Sequence, residues 1–359
     1  MLHQLISSVM NFRVPRWSLT PKIIFLFIVF RVSTVQAQVS DSSHEAPSQD
    51  KWIETMDDYI GLKLGVSNYI ETFSLNVNDN AYTLYPNTSN VARLYFNFRM
   101  ISLYYTYVPL FLPGNNDDDT KGKTSSAGYG IDFTFNRIST SLSYSRTEGY
   151  YLKNTLFYNR NWEPGDDYIL FPDLVSKSLD GETSYKFNKN FSQSAVSSQT
   201  SRQLRSAGSF IPKLIYKYYL TENQPVGGAQ ASKNFQLILG AGYYYTYILK
   251  KYFYISGGAM PAFGYMFTEL KFNRSGENKI EKRNIPIGQI SGQAGVGYNG
   301  RLFYAGAYWS GSTAGYKPKN ATAVNTNSTL YYQFFVGYRF KAPKFLRKSY
   351  DDVMDFLVK

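Results

Sequence analysis

Cysteine is absent from the chain and histidine occurs only twice, which excludes several kinds of chemistry at the outset. Without cysteine there is no disulfide, no thiolate metal site and no lipid-modified N-terminal cysteine. The two histidines, His3 and His44, precede every predicted strand, so neither can act as a general base in a site built from strands. No other nucleophile motif stands out. We therefore expect no enzyme activity, no catalytic residue, no cofactor and no metal site.

Long apolar runs are also missing. The best candidate for a membrane-crossing helix, residues 236–249, is short and rich in Gly, Tyr and Thr. A helix needs about 20 apolar residues to cross a bilayer. Any membrane-spanning part must therefore consist of strands, and strands satisfy all their backbone polar groups in a bilayer only when they close into a barrel.

The N-terminal region is typical of an export signal. Three basic residues precede an apolar run at 23–30, and residues 35–37 (VQA) offer small side chains at a cleavage position. The pattern predicts a signal peptide over residues 1–37, with Met1 or Met10 as the start. An uncleaved anchor helix is the alternative, which the short apolar run disfavours.

The strongest indication of structure in the sequence is the alternation of apolar and polar residues. In residues 330–340 one face carries Leu330, Tyr332, Phe334, Val336, Tyr338 and Phe340, and the other carries Tyr331, Gln333, Phe335, Gly337 and Arg339. The same period recurs at 92–99, 131–136 and 234–247. Because successive side chains of a strand point to opposite faces, the period predicts strands between two different environments. The 33 Tyr and 26 Phe favour a membrane over a soluble sandwich, since Tyr suits the membrane interface.

These patterns predict an all-β protein, a transmembrane antiparallel up-and-down β-barrel of about twelve strands with a short C-terminal amphipathic helix. Short turns should alternate with long loops. The predicted strands are 59–77, 90–98, 100–108, 126–137, 139–147, 183–202, 207–219, 234–248, 252–267, 286–298, 302–312 and 328–341. Tight connections are expected near Arg99, Ile138, Leu204, Lys250 and Gly300, and long loops at 78–89, 109–125, 148–182, 220–233, 268–285 and 313–327. Splitting a strand at 67–68 or at 188–190 would change the count. Fourteen and ten strands are the alternatives to twelve. An even number places both chain ends in the periplasm.

The chain thus divides into a signal peptide (1–37), a polar periplasmic leader (38–58), a barrel (59–341) and a periplasmic tail (342–359). The leader is rich in Ser, Asp, Glu, Gln and Pro and is assigned no fold. Apolar residues recur in the tail at helical spacing, which predicts a short amphipathic helix at the barrel rim or on the lipid surface. Packing on the rim is favoured over binding a partner.

The net charge limits the classes of partner that the protein is expected to bind. The net charge of +12 falls to +8 once the four cations of residues 1–37 are removed. The basic residues are scattered singly among strands, so no nucleic-acid binding is expected. Outer-membrane lipid, lipopolysaccharide and the barrel-assembly machinery are the expected partners, and a small anionic solute is a further one. The loop segment Asn115–Thr120 lacks the Gly and Glu of a calcium loop and predicts a solvated acidic turn.

Eight polar residues fall on strand faces opposite the aromatic ones, so they are predicted to line the barrel interior. They are Lys63, Arg93, Lys213, Lys217, Arg339, Asp132, Gln289 and Gln293. Charges removed from water must be paired or hydrated, and here five cations face one anion. The set predicts a narrow passive channel or solute-binding barrel with a basic, anion-preferring lumen. The alternative is a structural or surface-contact barrel with a polar core sealed by inward loops and with functional external loops.

Several short motifs resemble those of one family. They are Tyr85-Pro86-Asn87, Gly149-Tyr150-Tyr151, Phe191-Ser192, residues 203–210 (QLRSAGSF), and Gly337-Tyr338-Arg339-Phe340 with Ala342-Pro343. Over most of residues 55–345 the chain resembles a family of uncharacterised outer-membrane β-barrel proteins of Bacteroidetes, the domain of unknown function 4421. The resemblance implies a bacterial outer-membrane location and a barrel fold, and it implies no particular activity.

Overall fold

A computed structural model of the chain describes residues 51–68, 73–77, 80–222, 229–274, 277–316 and 325–358. The predicted signal peptide, both histidines and most of the predicted leader lie outside these residues. Neither of the α-helices among the described residues is long and apolar enough to cross a membrane.

Twelve antiparallel strands close into a barrel, which confirms the predicted fold class. The elements are β1 (Ile53–Thr55), β2 (Tyr59–Asn68), β3 (Phe73–Val77), β4 (Asn80–Tyr85), β5 (Asn90–Phe98), β6 (Ile101–Tyr107), α1 (Asp118–Lys121), β7 (Ser125–Phe135), β8 (Ile138–Leu152), a 3₁₀ turn (Thr155–Phe157), β9 (Leu170–Tyr185), β10 (Ser201–Gln203), β11 (Ala207–Glu222), β12 (Ala229–Leu249), β13 (Phe253–Arg274), β14 (Glu277–Asn299), β15 (Phe303–Tyr316), β16 (Asn325–Lys341) and α2 (Lys344–Val358). Around the barrel the order is β2, β5, β6, β7, β8, β9, β11, β12, β13, β14, β15 and β16. Pairing of β16 with β2, where Val336 lies opposite Leu64, closes the ring.

One end of the barrel, here called the short-turn end, carries the tight connections, and the opposite end is called the loop end. The connections at the short-turn end are residues 99–100, 136–137, 250–252 and 300–302. Arg99, Asn136 and Lys250 there have positive φ values of 51°, 52° and 50°. Left-handed residues at such positions are typical of tight hairpins, because their twist matches that of the flanking strands.

The outer face of the wall is apolar. Along β16, Leu330, Phe334, Val336, Tyr338 and Phe340 are exposed, whereas Gln333, Phe335 and Arg339 are buried. The facing predicted for this strand is therefore confirmed. Exposed apolar side chains continue around the barrel, for example Leu94 on β5 and Leu239 on β12. Such a continuous apolar band is the surface that a barrel presents to lipid.

Several strands are longer than the sequence predicts. β13 has 22 residues and β14 has 23, about twice the length that crosses a bilayer. The loop predicted at 268–285 is wrong, because the two strands stay paired as far as Arg274 opposite Glu277. β11 and β12 likewise extend into the loop predicted at 220–233, and β15 and β16 extend into the loop predicted at 313–327. Between Phe272 and Ile280 the sequence has no large apolar residue, so the alternation disappears there while the backbone pairing continues.

The first predicted strand, 59–77, is wrong beyond Asn68. β3 and β4 form a separate hairpin that pairs with β8, where Leu84 lies opposite Leu152. A buried apolar cluster holds this hairpin against the wall and consists of Leu84, Tyr150, Leu152, Phe171 and Leu174. In the sequence the apolar positions of β2 are followed by Phe73, Leu75 and Val77, again at every second position, so the alternation runs on past the end of the barrel strand.

The sixth predicted strand, 183–202, is also wrong. β9 occupies that place in the wall, and the chain then turns inward, so no tight connection forms near Leu204. We call residues 186–206 the inserted segment. Asn188 makes the turn at its start: the side-chain oxygen accepts from the Asn190 amide at 3.0 Å and the side-chain amide donates to Gly208 O at 2.7 Å. The strand number stays at twelve because β9, predicted as part of the loop at 148–182, replaces the lost strand.

Part of the predicted leader also has structure. β1 pairs with β10 in the inserted segment, with Ile53 opposite Gln203. The C-terminal helix is present as predicted. It packs on Ile60 and Phe98 at the short-turn end.

Candidate functional site

The inserted segment occupies the lumen at the short-turn end. Lys63 on β2 donates to Ser197 O at 2.7 Å and to Gln199 Oε1 at 3.1 Å. Asn97 on β5 donates to Ser198 O at 2.8 Å. Because an irregular segment leaves its backbone carbonyls without strand partners, donors from the wall must satisfy them. These side chains therefore hold the segment in place.

Arg339 on β16, the strand paired with β2, also holds the inserted segment. Its guanidinium donates to Gln199 O and Gly300 O, both at 2.5 Å, and to Asn299 Oδ1 at 2.8 Å. The guanidinium also lies 4.3 Å from the ring centroid of Tyr304. Asn299 Nδ2 in turn donates to Ala195 O at 3.0 Å. Both terminal nitrogens of Arg339 are thus hydrogen-bonded to acceptors of the protein itself.

Both ends of the inserted segment are fixed as well. Arg202 forms an ion pair with Glu54 of β1, at 2.5 Å, and donates to Asn299 O at 2.8 Å. Lys186 donates to Phe191 O at 2.8 Å. Burial, with a smaller contribution from the charge of Arg137, lowers the pKa of Lys186 below its usual value. Asn188, which donates to Gly208 O, ties the start of the segment to β11, and Arg202 ties its end to β14.

The cations farther along the lumen have carboxylate partners. Lys213 on β11 pairs with Glu182 on β9 at 2.8 Å, and Lys217 pairs with Asp180 at 3.2 Å. The sequence placed both acids in a loop, so the expected excess of five cations over one anion is an overestimate. The sequence does indicate β9, since residues 176–184 carry polar side chains at every second position, but Lys177 interrupts the outward apolar face.

A polar cavity of about 380 Å³ lies between the inserted segment and the loop end. Gln193, Val196, Ser197 and Ser198 of the inserted segment form part of its wall. The barrel strands contribute Ser, Thr and Gln side chains together with Asp132, Glu182, Lys213 and the rings of Tyr244, Tyr308 and Tyr331. Its volume lies within the range of about 300 to 1,000 Å³ that is usual for small-molecule sites.

All eight residues predicted from the sequence point into the lumen, but they do not form one site. Asp132, Lys213, Gln289 and Gln293 line the cavity. Gln293 Oε1 accepts from the Tyr308 hydroxyl at 3.1 Å. Arg93 binds the hydroxyls of Thr106 and Tyr331, each at 3.0 Å, and Lys217 lies near the loop end. Lys63 and Arg339 hold the inserted segment, which the sequence did not reveal. A common anion path for the eight residues stays a prediction.

The closed ring of twelve strands, the apolar outer band and the polar lumen together define a transmembrane β-barrel of the outer-membrane type. Residues 41–340 match the family described as Domain of unknown function (DUF4421), and the chain belongs to that family. Among curated protein sequences none matches this chain.

Several solved structures that are similar to this chain are outer-membrane proteins. The β domain of the Bordetella autotransporter BrkA is 14% identical, with 80% of this chain and 100% of that chain covered and a TM-score of 0.36. For LpxR from Salmonella typhimurium the identity is 10%, the coverage 77% and 99%, and the TM-score 0.34. For OmpT of Vibrio cholerae the values are 8%, 79% and 97%, and 0.29. At these TM-scores the class of this protein rests on its own geometry.

Proposed function

We propose that this chain is a solute-binding barrel of a Bacteroidetes outer membrane, with a polar cavity that is open to solutes from the loop end and closed at the other. The observation that carries the proposal is the inserted segment, which is hydrogen-bonded to β2, β5, β14 and β16 and packs through Phe191 against β11, β12 and β13. A segment held in this way leaves a cup rather than a continuous passage. The short-turn end faces the periplasm, as in other barrels with short periplasmic turns.

The lining suits a small polar solute with several hydroxyl or charged groups. Hydroxyls, amides and a Lys213–Glu182 pair offer both donors and acceptors, and tyrosine rings offer flat apolar surfaces. A preference for anions has less support than the sequence suggested, because Lys213 and Lys217 have carboxylate partners. Lipopolysaccharide around the outer rim and the barrel-assembly machinery complete the proposed partners.

Planar-bilayer conductance tests the closed end. The full barrel is expected to give no steady conductance, whereas a variant with residues 190–203 replaced by a short Gly-Ser linker is expected to conduct ions. Steady conductance by the unaltered barrel would instead establish a passive channel. Heat-modifiable migration on gels serves as the folding control, because a closed barrel resists unfolding by detergent.

Titration calorimetry with neutral, zwitterionic and anionic small solutes tests the cavity. A heat of binding should be lost in Ser291→Trp, which fills the cavity, and kept in Ile290→Trp, because Ile290 is the neighbouring residue on the exposed outer face. Identical binding by the two variants would place the solute elsewhere.

The second candidate is a surface-contact barrel. It is favoured by exposed apolar side chains in the connections at the loop end, among them Phe111 and Phe157, each 82% exposed. Such side chains mark contact surfaces when they lie on an otherwise polar exterior. Absence of binding by every solute, together with loss of cell-surface attachment in a Phe111→Ser, Phe157→Ser variant, would establish this alternative.

A further inference from the structure

Helix α2 has three distinct faces. Leu346 and Tyr350 pack against Ile60 and Phe98 of the wall. The ring of Tyr350 meets the ring of Phe98 edge-on, with centroids 5.6 Å apart. Ile60 and Phe98 are paired neighbours on β2 and β5, and both share the outward register of the apolar band. The helix therefore lies on the outer side of the barrel wall rather than beneath its mouth.

Ion pairs fix the rotation of the helix about its own axis. Asp351 pairs with Arg99, and Arg347 pairs with Asp58 at 2.9 Å. Arg99 lies in a turn at the short-turn end, and Asp58 immediately precedes β2 at the same end. The flank that carries Arg347 and Asp351 is therefore directed toward the end of the barrel and away from the apolar band.

The opposite flank carries two large apolar side chains on either side of Ser349. With about 3.6 residues per turn, Phe345 and Val353 lie on the side of the helix opposite to Arg347 and Asp351. Both side chains are exposed, Phe345 by 71% and Val353 by 55%. Because the charged flank faces the barrel end, this apolar flank faces back along the wall toward the band that contacts lipid. The apolar surface of the helix is thus continuous with the apolar surface of the barrel.

We propose that α2 is a membrane-interface anchor: it lies flat against the barrel rim, inserts Phe345 and Val353 into the phospholipid leaflet on the short-turn side, and keeps its charged flank in the headgroup layer. Interfacial amphipathic helices bury their apolar faces about 5 to 10 Å into that boundary. Lys344 and Lys348 are exposed and offer ammonium groups to lipid phosphates. The anchor is independent of whether the lumen binds a solute.

Site-specific labelling tests the anchor, and the absence of native cysteine makes each single-cysteine variant unambiguous. The full-length barrel is reconstituted in phosphatidylethanolamine–phosphatidylglycerol nanodiscs, where buffer reaches both ends. An environment-sensitive fluorophore is attached to Phe345→Cys or Val353→Cys. Lipid-borne nitroxide is expected to quench both labels strongly, and aqueous iodide is expected to quench them weakly.

Lys348→Cys and Asp355→Cys are matched controls on the same helix, because both positions are exposed and lie on the charged side. Their labels should show the reverse pattern, with several-fold stronger quenching by iodide than by nitroxide lipid. Equal iodide access at all four positions would overturn the proposal, since the helix would then lie in water. Protection of positions 345 and 353 from both quenchers would also overturn it, because a protein contact would be indicated.

Discussion

The two halves of the barrel lumen carry the same kinds of inward-facing cation but use them differently. At the short-turn end Lys63 binds a carbonyl of the inserted segment, 134 residues away along the chain. Toward the loop end Lys213 binds Glu182 on the adjacent strand, 31 residues away. Strand register therefore decides only whether a cation points into the lumen or toward lipid. Its partner depends on what the rest of the chain places in front of it.

The largest difference between the halves should appear when Arg339 is removed. The side chain is 1% exposed and gives hydrogen bonds to four separate acceptors. Arg339→Met keeps much of the volume but leaves those acceptors unsatisfied in a buried place, so the free energy of unfolding should fall by about 3 to 5 kcal/mol. Guanidinium unfolding in lipid vesicles, followed by tryptophan fluorescence, measures it. A loss below about 1 kcal/mol would mean that the inserted segment is held by other contacts.

The barrel wall around the cavity provides the next test, because its outer face meets lipid and its inner face meets the polar cavity. Leu239 and Phe334 point outward and are 63% and 54% exposed. Leu239→Arg or Phe334→Arg should lower the unfolding free energy by about 2 to 4 kcal/mol, since a charge then faces hydrocarbon. Gln293→Arg, on the cavity side, is the control and should cost little. Equal losses on the two faces in the same unfolding assay would contradict the facing described above.

Lys63 tests the short-turn half with a residue type that both halves share. Lys63→Met removes charged donors to Ser197 O and Gln199 Oε1, and the cation also lies 3.9 Å from the ring centroid of Tyr95. The expected loss is about 2 kcal/mol. Hydrogen exchange of the inserted segment should rise at the same time, because its carbonyls lose an anchor. Unchanged exchange there would show that Lys63 does not hold the segment.

Lys217 should give the smallest effect and is the matched control for Lys63. Its pair with Asp180 is partly exposed, with side-chain exposures of 36% and 39%, so water screens the interaction. Lys217→Met should change the unfolding free energy by less than about 1 kcal/mol, and the change should shrink further at high salt. If Lys217→Met matched Lys63→Met, the two halves of the lumen would not differ in the way described.

Sequence reasoning succeeded where one strand face meets lipid. The alternation in residues 330–340 predicted the facing of Phe334 and Gln333 correctly, because a period of two is a property of the strand itself. It failed for residues 183–202, where a Ser-rich stretch has no apolar period and was assigned to the wall. It also missed β9, since Lys177 breaks the outward apolar face although the backbone pairs continuously with β11.

The candidate site was likewise predictable from the sequence only in part. The inward direction of Lys63, Arg93, Lys213 and Arg339 followed from register alone. Their partners did not, because Ser197, Gln199 and Glu182 come from parts of the chain whose position in the barrel was assigned incorrectly.

A closed antiparallel barrel, its apolar outer face and the amphipathic terminal helix could be predicted from the sequence, because each follows from local periodicity and from the need to pair every backbone group in lipid. The predicted number of strands agreed with the structure only because β9 takes the place of the wrongly assigned strand 183–202. Three features required the tertiary structure. They are the entry of residues 186–206 into the lumen, the carboxylates that β9 supplies to the lumen cations, and the length of the hairpins. Those features depend on hydrogen bonds and ion pairs between distant parts of the chain, and such pairings leave no period in the sequence.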